Sequence, residues 1–279
     1  METHFITLQH RAEYRMAYHQ WGDINNPRVL VCVHGLARNG RDFDFLAEQL
    51  SCEYRVICPD VVGRGKSDWL PESLAYDMPL YLADMQELFQ RLQLDKVDWL
   101  GTSMGGIIGM LLASLPNSPI ENLILNDIGS RVPGQALQRI ATYVGDYEFT
   151  SLQEVEAYMR KTYRAFHDLD DRCWRHLAEY GHRTDEAGGL YLHYDPRIAE
   201  GLRATQHEDI DLMAVWSQVN CPQLLIWGED SDLLKAETVR IMQQQNPQLD
   251  VLKVRNTGHA PALMMPAQIQ PVYEWLLNR

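Results

Sequence analysis

The hydrophobic and polar positions of this chain alternate between short apolar runs and segments with helical spacing. The apolar runs are nearly continuous and rich in β-branched residues, as in "RVLVCV" and "QLLIW". Runs of this kind are typical of parallel strands that are covered on both faces. They predict seven strands, at 15–20, 29–33, 55–58, 97–100, 122–126, 223–227 and 251–254.

Apolar residues in several of the intervening segments recur at the spacing of one helix face. Two examples are the sets Leu82, Met85, Leu88 and Leu92, and Ile269, Val272 and Leu276. Strands that alternate with helices are typical of an α/β protein. The pattern therefore predicts a doubly wound, mostly parallel central sheet flanked by helices.

The alternation is interrupted between residues 131 and 216. This stretch has a helical pattern and carries 11 of the 26 Phe, Tyr and Trp residues in 86 of the 279 positions. An insertion here would cover the carboxyl ends of the strands, where open α/β sheets bind ligands. We therefore expect a core of residues 1–130 and 217–279, with 131–216 as a helical cap.

The stretch "GTSMGG" places Ser103 between a predicted strand and an apolar helix. Gly101 and Gly105 flank the serine, and glycine is favoured where the backbone turns sharply or another backbone approaches closely. A serine on a tight strand-to-helix turn is the geometry of a nucleophile elbow. Ser103 is therefore the candidate nucleophile.

A serine hydroxyl needs a histidine to accept its proton and a carboxylate to orient that histidine. Asp230 and Asp232 follow the strand predicted at 223–227, and His259 follows the last predicted strand. The chain order serine, acid, histidine is that of hydrolases with a nucleophile elbow. The residues thus predict a Ser-His-Asp triad.

Hydrolysis of an acyl group also needs N–H donors for the oxyanion. The residue after the nucleophile, Met104, offers one backbone N–H, and Leu36 in the loop after the second predicted strand offers another. Gly35 beside Leu36 would permit a close approach of the backbone.

Five motifs occur in a consistent order, and through them the chain resembles the α/β-hydrolase fold serine hydrolases over essentially its whole length. The motifs are "HGLARNGRDF", "PDVVGRGKSD", "GTSMGG", "GEDSDLL" and "GHAP". The resemblance implies a cap of helices inserted after strand six. It implies supporting roles for His34, Gly35, Gly101 and Gly105, which stand in these motifs.

At the position of the acid, the chain departs from many relatives. They carry it three residues after the glycine of "GEDSDLL", where this chain has Ser231 between Asp230 and Asp232. Relatives with a similar "SDLL" loop use its aspartate, which favours Asp232. Some members place the acid after strand six, which makes Asp127 a third candidate.

The composition of the chain disfavours several classes of binding partner. The net charge of −13 disfavours nucleic acids and anionic membrane surfaces, which need basic patches. The longest apolar runs are too short for a membrane span. Five cysteines, two of them in predicted strands, favour a reduced, cytoplasmic protein. No motif indicates a metal or another cofactor, and none indicates an oligomeric state.

These features predict a cytoplasmic serine hydrolase that cleaves a carboxylic ester or thioester through an acyl-enzyme. The aromatic cap favours a small to medium apolar substrate. Carbon–carbon bond hydrolases, perhydrolases and acyltransferases use the same triad and are the alternatives within the enzyme class. The alternative that is not an enzyme is a non-catalytic ligand receptor with the same fold.

Overall fold

The computed structural model describes residues 1–167, 169–204 and 208–279. The strands in chain order are β1 (Glu2–Leu8), β2 (Tyr14–Trp21), β3 (Val29–Val33), β4 (Arg55–Pro59), β5 (Val97–Thr102), β6 (Ile120–Asn126), β7 (Arg131–Val132), β8 (Glu148–Phe149), β9 (His182–Thr184), β10 (Leu190–Leu192), β11 (Ile210–Asp211), β12 (Gln223–Gly228) and β13 (Asp250–Val254). The α-helices are α1 (Asp44–Leu50), α2 (Met78–Leu92), α3 (Met104–Ala113), α4 (Gly134–Tyr143), α5 (Leu152–Thr162), α6 (Asp171–Tyr180), α7 (Glu200–Ala204), α8 (Met213–Trp216), α9 (Ala236–Gln245) and α10 (Pro266–Leu277).

The central sheet has eight strands in the order β1-β2-β4-β3-β5-β6-β12-β13. The β1/β2 and β2/β4 pairs are antiparallel, and the remaining pairs are parallel. All seven strands predicted from the apolar runs are present. The sheet has one further strand, β1, which the apolar pattern does not indicate. It is an edge strand with an alternating pattern, and Phe5 within it is 48% exposed.

Helix α3 begins directly after β5 and packs closely against the sheet. Nearly all of its residues are buried, so its apolar character extends around the whole helix. Gly109 on this helix faces Trp99 of β5, which is fully buried and donates from Nε1 to the Gly105 carbonyl at 3.0 Å. The close fit fixes where α3 begins, and with it the turn that precedes the helix.

The segment between β6 and β12 contains α4 to α8, and it is not purely helical. Strands β8, β10 and β9 form a small antiparallel sheet, and β11 pairs with β7 through Ile210 and Val132. The β7/β11 pair joins the two ends of the segment next to the core. The cap after strand six is therefore present with short strands added, while its limits at 131 and 216 stay a prediction.

Two features are absent from the ranges described. No helix there is long and apolar enough to cross a membrane. Those ranges also hold no group of three His, Cys, Asp or Glu side chains placed to ligate a metal ion.

Replacing Gly109 with alanine tests the contact between α3 and β5. An alanine Cβ would lie 2.2 Å from Trp99 Nε1, so we expect Gly109→Ala to lower the free energy of unfolding by roughly 1–3 kcal/mol. Gly201 on α7 is the matched control, because outside its chain neighbours and its own helix backbone no atom of the described residues lies within 4 Å of a Cβ added there. Gly201→Ala should raise the free energy of unfolding by up to about 1 kcal/mol. Urea unfolding measures both, and a stabilised Gly109→Ala variant would contradict this packing.

Candidate active site

Ser103 lies on a strained turn between β5 and α3. Its φ of +52° and ψ of −113° are rare for a residue with a side chain. Added Cβ atoms at its neighbours would collide with backbone, at 2.2 Å from Gly105 O for Gly101 and at 2.0 Å from Val33 O for Gly105. Both glycines are therefore required by close contacts, and the turn presents the serine at the carboxyl edge of the sheet.

His259 lies in the loop after β13 and contacts the serine. Its Nε2 is 3.0 Å from Ser103 Oγ, and its Nδ1 is 2.8 Å from Asp127 Oδ2. A histidine with its proton on Nδ1 donates to the carboxylate and leaves Nε2 free to accept from the serine hydroxyl. The arrangement can move the serine proton to His259.

Asp127 follows β6 directly and is completely buried. Its backbone adopts a φ of +54°, which turns the chain at the end of the strand. Besides His259, the carboxylate accepts from the backbone N–H of Gly228 at 2.8 Å and from Ser231 Oγ at 2.6 Å. Each oxygen thus has a donor, and a buried carboxylate with this many donors is held as a fixed acceptor.

The preference for Asp232 as the acid is corrected by this geometry. The Asp232 carboxylate pairs with Arg139 of α4, with 2.9 Å between Oδ1 and Nη2, and its side chain is 44% exposed. Asp230 is also exposed. The carboxylate that reaches His259 belongs to Asp127, the third candidate. Ser231, at the position where many relatives carry the acid, is a donor to that carboxylate.

Both residues expected to donate to the oxyanion lie near the serine. Met104 is the first residue of α3, and the first N–H groups of a helix have no acceptor within it. Leu36 lines the same cavity as Ser103. A Cβ added to Gly35 would stand 3.7 Å from Ser103 Cβ, an ordinary contact, so close approach does not require the glycine there.

His34 connects the loop after β3 to the loop after β4. Its Nδ1 is 2.7 Å from the Gly35 carbonyl, and the Val61 N–H donates to its Nε2 at 3.0 Å. Burial lowers the pKa of His34 to about 4, so the ring is neutral at physiological pH. The neutral ring accepts on one side and donates on the other, which fixes the course of the loop that carries Leu36.

A narrow cavity lies between the serine and the cap. Its volume is about 70 Å³, several times the roughly 10–15 Å³ that one water requires. Three cap aromatics contribute to its wall: Tyr143, Tyr163 and Phe166. Arg38 and Asp42 also line it and form an ion pair, with 2.6 Å between Nη2 and Oδ1. The cavity suits a short group with apolar and polar parts.

A model of the alpha/beta hydrolase fold family matches residues 28–263. The 3-hydroxybutyrate-oligomer hydrolase of Cupriavidus necator is 44% identical over 265 residues, with 92% of this chain and 90% of that protein aligned. A crystal structure of an alpha/beta hydrolase from Novosphingobium aromaticivorans has a TM-score of 0.88 at 30% identity, covering 100% and 98% of the two chains. A Rickettsia typhi crystal structure has a TM-score of 0.94 at 31% identity over both full lengths.

Two conservative changes separate the candidate acids. Asp127→Asn should lower kcat by about 10⁴, because His259 would then lose the partner that fixes its tautomer. Asp232→Asn, the matched control, should cost less than about tenfold, because its carboxylate contacts Arg139 at the surface. Steady-state hydrolysis of a p-nitrophenyl ester measures both. If Asp232→Asn lost its activity and Asp127→Asn kept it, the acid would be Asp232 in the loop after β12.

The lowered pKa of His34 predicts a pH dependence of stability. Unfolded, this histidine binds a proton below about pH 6.5, whereas the folded protein excludes that proton until about pH 4. The free energy of unfolding should therefore fall as the pH drops from about 6.5 to 4, by up to roughly 3 kcal/mol from this group. Measured by urea unfolding across this range, the free energy of unfolding should depend less steeply on pH in His34→Gln than in wild type. The exposed His167 provides the control, His167→Gln, which should keep the wild-type slope. An unchanged slope in His34→Gln would contradict the assignment.

Proposed function

Because this chain belongs to the α/β-hydrolase family, we propose that it is a serine esterase whose triad is Ser103, His259 and Asp127. The predicted family, fold class and type of enzyme, a hydrolase acting on ester bonds, are confirmed by the comparisons above. The observation that carries the choice of residues is the continuous hydrogen-bonded chain from Ser103 Oγ through both His259 nitrogens to Asp127.

The first half of the reaction forms an acyl-enzyme. Ser103 Oγ attacks the ester carbonyl carbon while His259 Nε2 takes the hydroxyl proton, and the Asp127 carboxylate stabilises the resulting imidazolium. The carbonyl oxygen becomes an oxyanion, which the N–H groups of Leu36 and Met104 stabilise by hydrogen bonds. The intermediate collapses, the carbon–oxygen bond to the alcohol breaks, and His259 returns its proton to the leaving alkoxide.

The second half releases the acid. A water molecule gives a proton to His259 Nε2 and attacks the acyl carbonyl, and the same two N–H groups stabilise the second oxyanion. When the bond to Ser103 breaks, His259 protonates Oγ and the enzyme is restored. No cofactor enters either half, since every proton is exchanged among substrate, water, Ser103 and His259.

We infer that the substrates are short oligomers of a small hydroxy acid such as 3-hydroxybutyrate. Two observations support this class: the 44% identity to the Cupriavidus necator enzyme over nearly the whole chain, and a narrow cavity beside Ser103. An oligomer of this kind presents an ester with a short acyl part and carries polar ester groups along its length. Arg38 in the cavity wall provides a cation near the polar parts of such a chain.

Hydrolysis of 3-hydroxybutyrate dimers and trimers by wild type, Ser103→Ala and Ser114→Ala tests this function. Wild type should release monomer, while Ser103→Ala should lose activity by roughly 10⁴–10⁶ because the nucleophile is gone. Ser114 lies at the other end of α3, where its hydroxyl donates to a carbonyl at 2.8 Å. Ser114→Ala, the matched control, should keep wild-type activity. Chromatography of the products measures all three.

A fluorophosphonate probe provides the second readout, and it should label wild type at Ser103 and leave Ser103→Ala unlabelled. Retained activity in Ser103→Ala, or labelling at another serine, would overturn the mechanism. Labelling of Ser103 together with hydrolysis of thioesters or long-chain esters in preference to the oligomers would keep the triad and overturn the substrate class.

A further inference from the structure

Arg64 is a fully buried arginine behind the candidate active site. It lies in "GRGKS", in the loop after β4, and is 0% exposed. Its Nη1 donates to the Val62 carbonyl at 2.7 Å and to Tyr81 Oη at 2.9 Å. The guanidinium carbon lies 5.0 Å from the centroid of the Tyr81 ring and 5.5 Å from that of Tyr76. All of these partners are neutral.

The positive charge of Arg64 has no ion-pair partner among the residues whose positions are described. A buried charge without a counter-ion is costly, even when its N–H groups are satisfied. Arg38, a buried arginine that lines the cavity, has a carboxylate partner in Asp42. Among the described residues Arg64 thus differs from Arg38 in having no carboxylate within ion-pair distance, which suits a purpose that a paired arginine would not serve.

Arg64 contacts both residues expected to donate to the oxyanion. Its Nε donates to the Leu36 carbonyl at 2.9 Å, and its Nη2 lies 3.7 Å from Met104 Sδ. The bond to Leu36 fixes the peptide that follows this residue and so limits rotation of the Leu36 N–H. The contact with Met104 places the charge at the end of the side chain of the first residue of α3.

We propose that Arg64 is the positioning residue of the oxyanion hole, and that its charge is balanced only when the oxyanion forms. This inference rests on the serine-esterase function proposed above and adds to it. In the resting enzyme the hydrogen-bond and ring partners of the cation are neutral, whereas the transition state brings a negative charge to the N–H groups of Leu36 and Met104. An interaction that is stronger in the transition state than in the ground state accelerates the reaction without tightening substrate binding.

The cap holds the Arg64 loop from the opposite side. The Gly65 N–H donates to the His193 carbonyl at 2.8 Å, and the Asp195 N–H donates to the Gly63 carbonyl at 2.8 Å. Arg64 itself forms an isolated antiparallel bridge with Tyr194. The guanidinium is therefore fixed by its loop as well as by its own hydrogen bonds, as a preorganised electrostatic site requires.

Three substitutions separate charge from packing: Arg64→Lys keeps the charge, Arg64→Gln keeps hydrogen-bonding groups, and Arg64→Met keeps only bulk. Arg55 at the beginning of β4 provides the control, because it is 8% exposed and donates to neutral Gln20 at 2.9 Å. Arg55→Gln removes an arginine charge at the edge of the sheet opposite Ser103. Circular dichroism and thermal unfolding establish that each variant is folded.

The readouts are ester hydrolysis and inhibition by phenylboronic acid, which forms an anionic tetrahedral adduct with an active-site serine. We expect Arg64→Gln and Arg64→Met to lower kcat and the affinity for phenylboronic acid together, by roughly 10- to 100-fold, with KM nearly unchanged. Arg64→Lys should recover part of both losses. Arg55→Gln should leave kcat and phenylboronic acid affinity at the wild-type values.

Tyr81→Phe keeps the experiment decisive if the Arg64 variants do not fold, because it removes only the hydroxyl that accepts from Nη1. This substitution should lower the affinity for phenylboronic acid by roughly 3- to 10-fold without changing KM. Folded Arg64 variants, or a folded Tyr81→Phe variant, that bind phenylboronic acid as tightly as wild type would overturn the inference. A wild type that neither hydrolyses esters nor is labelled at Ser103 would instead overturn the proposed function itself.

Discussion

The site depends on one buried carboxylate. Asp127 accepts hydrogen bonds from three different parts of the chain: the Gly228 N–H at the end of β12, Ser231 Oγ in the loop that follows, and Nδ1 of His259 beyond β13. Because the group is completely buried, each donor also compensates the loss of water around it. The carboxylate therefore fixes the histidine and joins three loops at the carboxyl edge of the sheet.

The proposed acid after β6 gives the loop after β12 a different role from the expected one. Ser231 Oγ accepts hydrogen bonds from the N–H groups of Leu233 and Leu234 and donates one to Asp127, so the loop supports this carboxylate. Asp232, released from any contact with His259, pairs with Arg139 of α4 and connects the core to the cap. A carboxylate that the local motif alone would assign to catalysis thus contacts the cap at the surface.

Local features of the sequence predicted the serine, the histidine and the seven apolar strands, because each depends on neighbouring residues. The six-residue motif that contains Ser103 includes Gly101 and Gly105, which close backbone contacts require, so the turn can be recognised locally. Buried parallel strands can also be recognised locally, because they are continuous apolar runs. The acid depends on contacts across 132 positions between Asp127 and His259, and the Arg139 pair with Asp232 spans 93 positions. Contacts between residues so far apart in the sequence cannot be predicted from a local pattern. The edge strand β1 was missed because it is half-exposed and lacks an apolar run.

The hydrogen on His259 Nδ1 reports directly on which carboxylate contacts this ring. Proton NMR of protein labelled with ¹⁵N-histidine reports a far-downfield resonance when this proton is held in a strong bond to a carboxylate. We expect the resonance in wild type and in Asp232→Asn but not in Asp127→Asn, because the Asp127 carboxylate lies 2.8 Å from this nitrogen. A resonance that persists in Asp127→Asn and disappears in Asp232→Asn would contradict the account.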